Sequence, residues 1–97
     1  MKMIMAIVAK EDTGAVTQAL TKAEYYITRL STTGGFLRSG NTTLLIGTDD
    51  EKVEACIRII GENAKNHVGK VPDKPGEKVQ AGGATIFVMN ISHFTKL

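Results

Sequence analysis

From Lys2 to Ala9 the chain is an unbroken apolar run, Met3-Ile4-Met5-Ala6-Ile7-Val8 closing on Ala9. Eight residues are too few to cross a membrane as a helix. Length and β-branching make the run a strand buried on both faces. Ile4, Ala6 and Val8 point to one side of it, and Met3, Met5 and Ile7 to the other. The rest of the chain must therefore cover two apolar faces.

The following residues supply one cover. Asp12 or Thr13 is expected to cap a helix whose inner face carries Ala15, Val16, Ala19, Leu20 and Ala23. Tyr25 to Thr32 reads as a second strand, with Tyr26, Thr28 and Leu30 on one face and Tyr25, Ile27 and Arg29 on the other. Thr42 to Gly47 reads as a third. Thr48-Asp49-Asp50 opens a second helix, acidic where the helix dipole favours it, with Val53, Cys56, Ile57 and Ile60 as its apolar stripe. Glu51, Glu54 and Glu62 belong to its solvated face. His67 to Glu77 holds both prolines and reads as loop. Lys78 to Ala81 is a short strand broken by Gly82-Gly83, and Ala84 to Ile91 is the last long strand. Ser92 is expected to cap a final turn anchored by Phe94.

The order β-α-β-β-α-β predicts an α+β, ferredoxin-like fold: an antiparallel sheet with two helices on one face. The helix-free face is apolar too, so burial in an oligomer is expected there. Ninety-seven residues make a single domain, 1–97, with a limited margin of buried surface. The formal charge of +2 is too small to argue for duplex nucleic acid. No targeting segment or membrane span is expected. Cys56 is alone, which excludes an intramolecular disulfide and suits a reducing cytoplasm.

Catalytic motifs fail on inspection. Gly35 to Thr42 comes close to a P-loop, but Asn41 stands where the lysine belongs and a strand follows instead of a helix. An RNA recognition module needs aromatics on its central strands, and strands one and three have none. An acylphosphatase needs an arginine-bearing loop after the first strand, where this chain has Lys10-Glu11-Asp12. His67 and His93 lack a carboxylate at metal spacing and read as loop or surface residues. Cys56 reads as buried and inert. No nucleophile, base and orienter converge, so no enzyme, no cofactor and no metal site is expected.

The stretch Ser31 to Gly47 is different in kind. Gly34-Gly35, Phe36, Leu37, Arg38 and Asn41 bring close backbone access, a stacking face, a guanidinium and an amide into a connection longer than a hairpin needs. On residue chemistry alone it is either a nucleotide site or a plain hairpin with Phe36 tucked into the core. If it is a nucleotide site, it is expected to order on ligand binding.

Residues 31 to 43, Ser-Thr-Thr-Gly-Gly-Phe-Leu-Arg-Ser-Gly-Asn-Thr-Thr, closely resemble the signature of the cyclic-di-AMP receptor family of PII-like signal-transduction proteins. Met1 to Val8, Asp50-Glu51-Lys52-Val53 and Gly82 to Val88 also match the family pattern, so the resemblance spans the chain. It implies a homotrimer of PII-like ferredoxin-like subunits with a cyclic di-AMP in each inter-subunit cleft. By position, Thr28, Gly35, Phe36, Leu37, Asn41, Gly47 and Phe87 match binding positions of the family. The Gly34 amide and Arg38 are further candidates toward phosphate. Three departures stand out: Tyr26 and Lys96 replace a basic residue and a glutamine, and the 67–77 segment is short. They support an alternative, a PII-like trimeric protein-interaction module with a lost or altered nucleotide ligand.

Overall fold

The computed structural model describes residues 1–30, 41–66 and 77–92, with backbone alone over 77–80. Five strands form one sheet: β1 (Lys2–Ala9), β2 (Tyr26–Leu30), β3 (Asn41–Thr48), β4 (Glu77–Ala81) and β5 (Ala84–Asn90). Two helices, α1 (Thr13–Lys22) and α2 (Val53–Asn63), each follow a single 3-10 turn. The strand order is β2-β3-β1-β5-β4, with every pairing antiparallel. Strands β2, β3, β1 and β5 have the ferredoxin-like order, and β4 extends it beyond β5.

The apolar run at the N-terminus becomes the central strand. Eight residues of β1 pair with β3, from Lys2↔Thr48 to Ala9↔Asn41, and six pair with β5. On one face Ile4, Ala6 and Val8 join Leu44, Ile46, Ala84 and Ile86, and the helices close over them with Val16, Leu20, Cys56 and Ile60. Tyr25, Ile27, Val53 and Ile57 pack around this core. The inner stripe of α1 is narrower than its apolar residues suggest: Ala15 and Ala23 are exposed, because Val16 and Leu20 already fill the contact.

Neither expected cap closes the start of α1. Asp12 makes no capping bond to its own helix. Its buried carboxylate instead accepts hydrogen bonds from the Asn66 backbone N–H at 2.8 Å and Asn66 Nδ2 at 2.9 Å. It thus ties the entry of α1 to the chain leaving α2. Thr13 Oγ1 reaches back to the Ala9 carbonyl at 3.4 Å. The acidic start of the second helix is likewise spent elsewhere: the N-terminal ammonium lies 3.0 Å from Asp50, and α2 proper begins at Val53.

The exit of α1 is a Schellman closure. Tyr25 N donates to the Leu20 carbonyl at 3.0 Å and Glu24 N to that of Thr21 at 2.9 Å. This puts Glu24 in the left-handed region at φ 68°, where a side chain is disfavoured. The tyrosine then enters the core, and its hydroxyl donates to the Lys52 carbonyl at 2.9 Å. At the other end of the sheet, Gly82-Gly83 joins β4 to β5 in two residues, with φ 58° at Gly82. The turn docks on the end of α2: Gly83 N donates to the Ala64 carbonyl at 2.8 Å. A Cβ on Gly82 would stand 2.5 Å from the Gly61 carbonyl oxygen and 2.7 Å from that of Ala64.

Two substitutions test these closures by denaturant unfolding. Gly82→Ala should cost at least about 2 kcal/mol, from the left-handed backbone and the backbone clash together. Glu24→Gly should gain about 1 kcal/mol, because glycine carries no Cβ penalty at that position.

Candidate functional site

Strand alternation sorts the sheet into a face under the helices and a face free of them. Met3, Met5 and Ile7 of β1, Thr43, Leu45 and Gly47 of β3, and Thr85, Phe87 and Met89 of β5 share the helix-free face. Tyr26, Thr28 and Leu30 of β2 continue it to the sheet edge. The candidates Thr28, Asn41, Gly47 and Phe87 all lie on this face. Gly34, Gly35, Phe36, Leu37 and Arg38 lie outside the described residues, as do Lys96 and the 67–76 segment.

The register sets how far apart the four described candidates are. Thr28, Leu45, Met5 and Phe87 form one cross-strand row over β2, β3, β1 and β5. Three strand spacings of about 4.8 Å separate Thr28 from Phe87, or about 14 Å. Asn41 lies four residues along β3 from Leu45, again about 14 Å. Of these four described candidates, Thr28 and Gly47 come together. They line a hollow of about 140 Å³ with Met3, Tyr26, Leu45 and Ile91. Phe87 is only 2 % exposed, so its ring faces are covered within the single chain.

Tyr26, named from the sequence as a departure from the family pattern, is 66 % exposed and stands directly opposite Gly47. With Gly47 it also borders a second hollow, of about 460 Å³, between the α1–β2 turn and α2. The signal that finds it is the two-residue period of β2, which sets Tyr26 beside Thr28. Its pairing with a glycine is visible only in the register.

The sequence profile of the family described as "Cyclic-di-AMP receptor" matches residues 1–97. Among solved structures, a functionally unknown protein from Pediococcus pentosaceus is similar to this chain at 36% identity and a TM-score of 0.71. The alignment covers 99% of this chain and 96% of that one.

Among the described residues no three His, Cys, Asp or Glu side chains gather as a metal cluster, and no helix is long and apolar enough to cross a membrane. The one cysteine is walled in by the helix-side core, and burial pushes the Cys56 thiol up to about 12. A thiol held neutral is a poor nucleophile. Cys56 should therefore react with a disulfide reagent only when the chain unfolds, with a rate that follows the population of open protein. Its raised value also has a stability consequence. Above the ordinary thiol value of 9.0 the unfolded chain loses a proton that the folded chain keeps. The Cys56 contribution to stability should then be full below pH 9 and decline toward pH 12; Cys56→Ala should flatten that decline in unfolding experiments across the range.

Proposed function

This chain belongs to the cyclic-di-AMP receptor family, and on that premise we propose that it is a non-enzymatic signal-transduction protein that binds cyclic di-AMP in the clefts between subunits of a homotrimer. The observation that carries the reading is the separation along the Thr28–Leu45–Met5–Phe87 row. A cyclic dinucleotide held at Thr28 and Gly47 lies at the β2 side of its own sheet, while Phe87 is two strands further in than Leu45. Phe87 is covered within its own chain, so in this reading a second copy completes the site by packing on the apolar tract beside the Thr28–Gly47 hollow.

The same face supports assembly. Met3, Met5, Leu45 and Met89 are half-buried neighbours on it, an apolar tract without a helix above it. Such a tract favours association. In the assembled cleft the Gly34 and Gly35 amides and the Thr28 hydroxyl donate to phosphate, Arg38 supplies positive charge, and Phe36 and Leu37 cover the bases. Asn41 reads an adenine edge, accepting from the amino group and donating to the ring nitrogen. The reading places the protein in the cytoplasm, passing the ligand signal to a protein partner, with no nucleic-acid or membrane partner and no cofactor besides the ligand.

Light scattering should give three times the chain mass at micromolar concentration, and Leu45→Glu should shift the population to monomer. A wild-type monomer would contradict the shared cleft. In calorimetry, cyclic di-AMP should bind at least about tenfold tighter than cyclic di-GMP, since an unpaired buried amide costs about 1–3 kcal/mol. Asn41→Ala should erode that ratio. If neither dinucleotide bound, the altered-ligand form of the family would be the correct reading.

A further inference from the structure

Among the described residues, Glu24 is the only one other than glycine in the left-handed region, at φ 68°. It closes the end of α1, a position where glycine carries no Cβ penalty. A glutamate there lowers the stability of the fold, and strained backbone of this kind gathers at sites that serve something other than the fold. The side chain is exposed and borders the hollow of about 460 Å³ between the α1–β2 turn and α2.

That hollow has apolar walls and a charged rim. Ala55 and Ile59 of α2 form the wall, with Met1 beside them. Glu24 stands on the rim at the α1–β2 turn, and Asp49 and Lys52 stand on it where the chain enters α2. Tyr25 holds the two sides in place, since its hydroxyl donates to the Lys52 carbonyl at 2.9 Å. Asp50 is engaged by the N-terminal ammonium at 3.0 Å, whereas the carboxylates of Glu24 and Asp49 take no ion-pair partner among the described residues. Two carboxylates against one ammonium leave the rim negative over an apolar floor.

Such a lining matches a long aliphatic stem that ends in a cation. The stem lies along the apolar wall while the head reaches the rim. Arginine suits it better than lysine: its planar fork can engage two acceptors, and it is more weakly hydrated than an ammonium. At about 460 Å³ the hollow lies within the roughly 300–1,000 Å³ of small-ligand pockets, which gives room for one such side chain and its neighbours.

We propose that this hollow is a docking site for an arginine side chain of a protein partner, with Glu24 as its acceptor. The reading under Proposed function supplies the expectation of a protein partner, and the site itself rests on the hollow and on Glu24. Walled by α2, it lies on the helix side of the sheet edge. Of its lining residues, only Tyr26 and Gly47 also line the smaller hollow beside Thr28.

Methyl NMR on the whole protein tests this with a capped Ala-Leu-Arg-Leu-Ala peptide and a twin that carries citrulline, the neutral isostere of arginine. The arginine peptide should shift the Ala55 and Ile59 methyls saturably and bind roughly two- to fivefold tighter than its twin, the range of a surface charge pair. Glu24→Gln should remove that difference. Glu24→Gly should remove it too while raising the melting temperature, which separates binding from folding. Lys52→Ala should tighten the arginine peptide, because a like charge is gone. Equal binding of the two peptides by the wild type, no saturable shift at Ala55 and Ile59, or a preference that survives in Glu24→Gln would each overturn the proposal. A parallel titration with cyclic di-AMP separates the two readings. Weaker nucleotide binding by Glu24→Gln would assign the hollow to the nucleotide and overturn the docking role. No nucleotide binding by the wild type, with the peptide preference intact, would overturn the ligand reading and uphold the docking site.

Discussion

The structure depends on the double burial of β1. This strand pairs along its length with β3 and along most of it with β5, and it offers apolar side chains to both sides. Ile4, Ile7, Ala6 and Val8 have no exposed surface in the chain. Each large side chain so placed contributes about 1.5–3 kcal/mol relative to exposure. A 97-residue chain has few other sources of that size. Helices on one face satisfy half of the requirement, and the helix-free face remains the surface where association or a ligand can add stability.

The helix side is closed by backbone contacts as much as by packing. The Asp12–Asn66 pair and the docking of the Gly82-Gly83 turn on Ala64 join elements distant in sequence, and the Schellman exit of α1 closes its end locally. They fix the helices over the sheet and, through Tyr25, set where β2 begins. Since β2 carries Tyr26 and Thr28, the helix-side closures determine the position of the hollow on the opposite face. Fold stability and the candidate site thus occupy different faces of one sheet, and β2 couples them.

Most of the fold was legible because its signals are local. The β1 run, the Val53–Cys56–Ile57–Ile60 stripe and the Gly82-Gly83 break each declare themselves within a few residues. The capping was misread because Asp12 has a partner 54 residues away that no local pattern reveals. The alternation of β2 and β3 put Thr28 and Gly47 on a shared face, whereas the pairing of Tyr26 with Gly47 depends on a register that two strands set jointly. Family resemblance named Asn41 and Phe87, and strand geometry shows that neither meets Thr28 within one chain. Distances across strands are properties of the sheet, and composition and periodicity do not contain them.

The central claim is that ligand acts on the helix-free face while the helix side serves the fold. Methyl NMR during titration with cyclic di-AMP reads both faces at once. Met3, Met5 and Met89 report the helix-free face, and Leu20, Ile57 and Ile60 report the helix side. The account predicts the largest shift at Met3, smaller ones at Met5 and Leu45, and nearly unmoved Leu20 and Ile60. Largest shifts at Leu20 or Ile60, with Met3 unchanged at saturation, would contradict it.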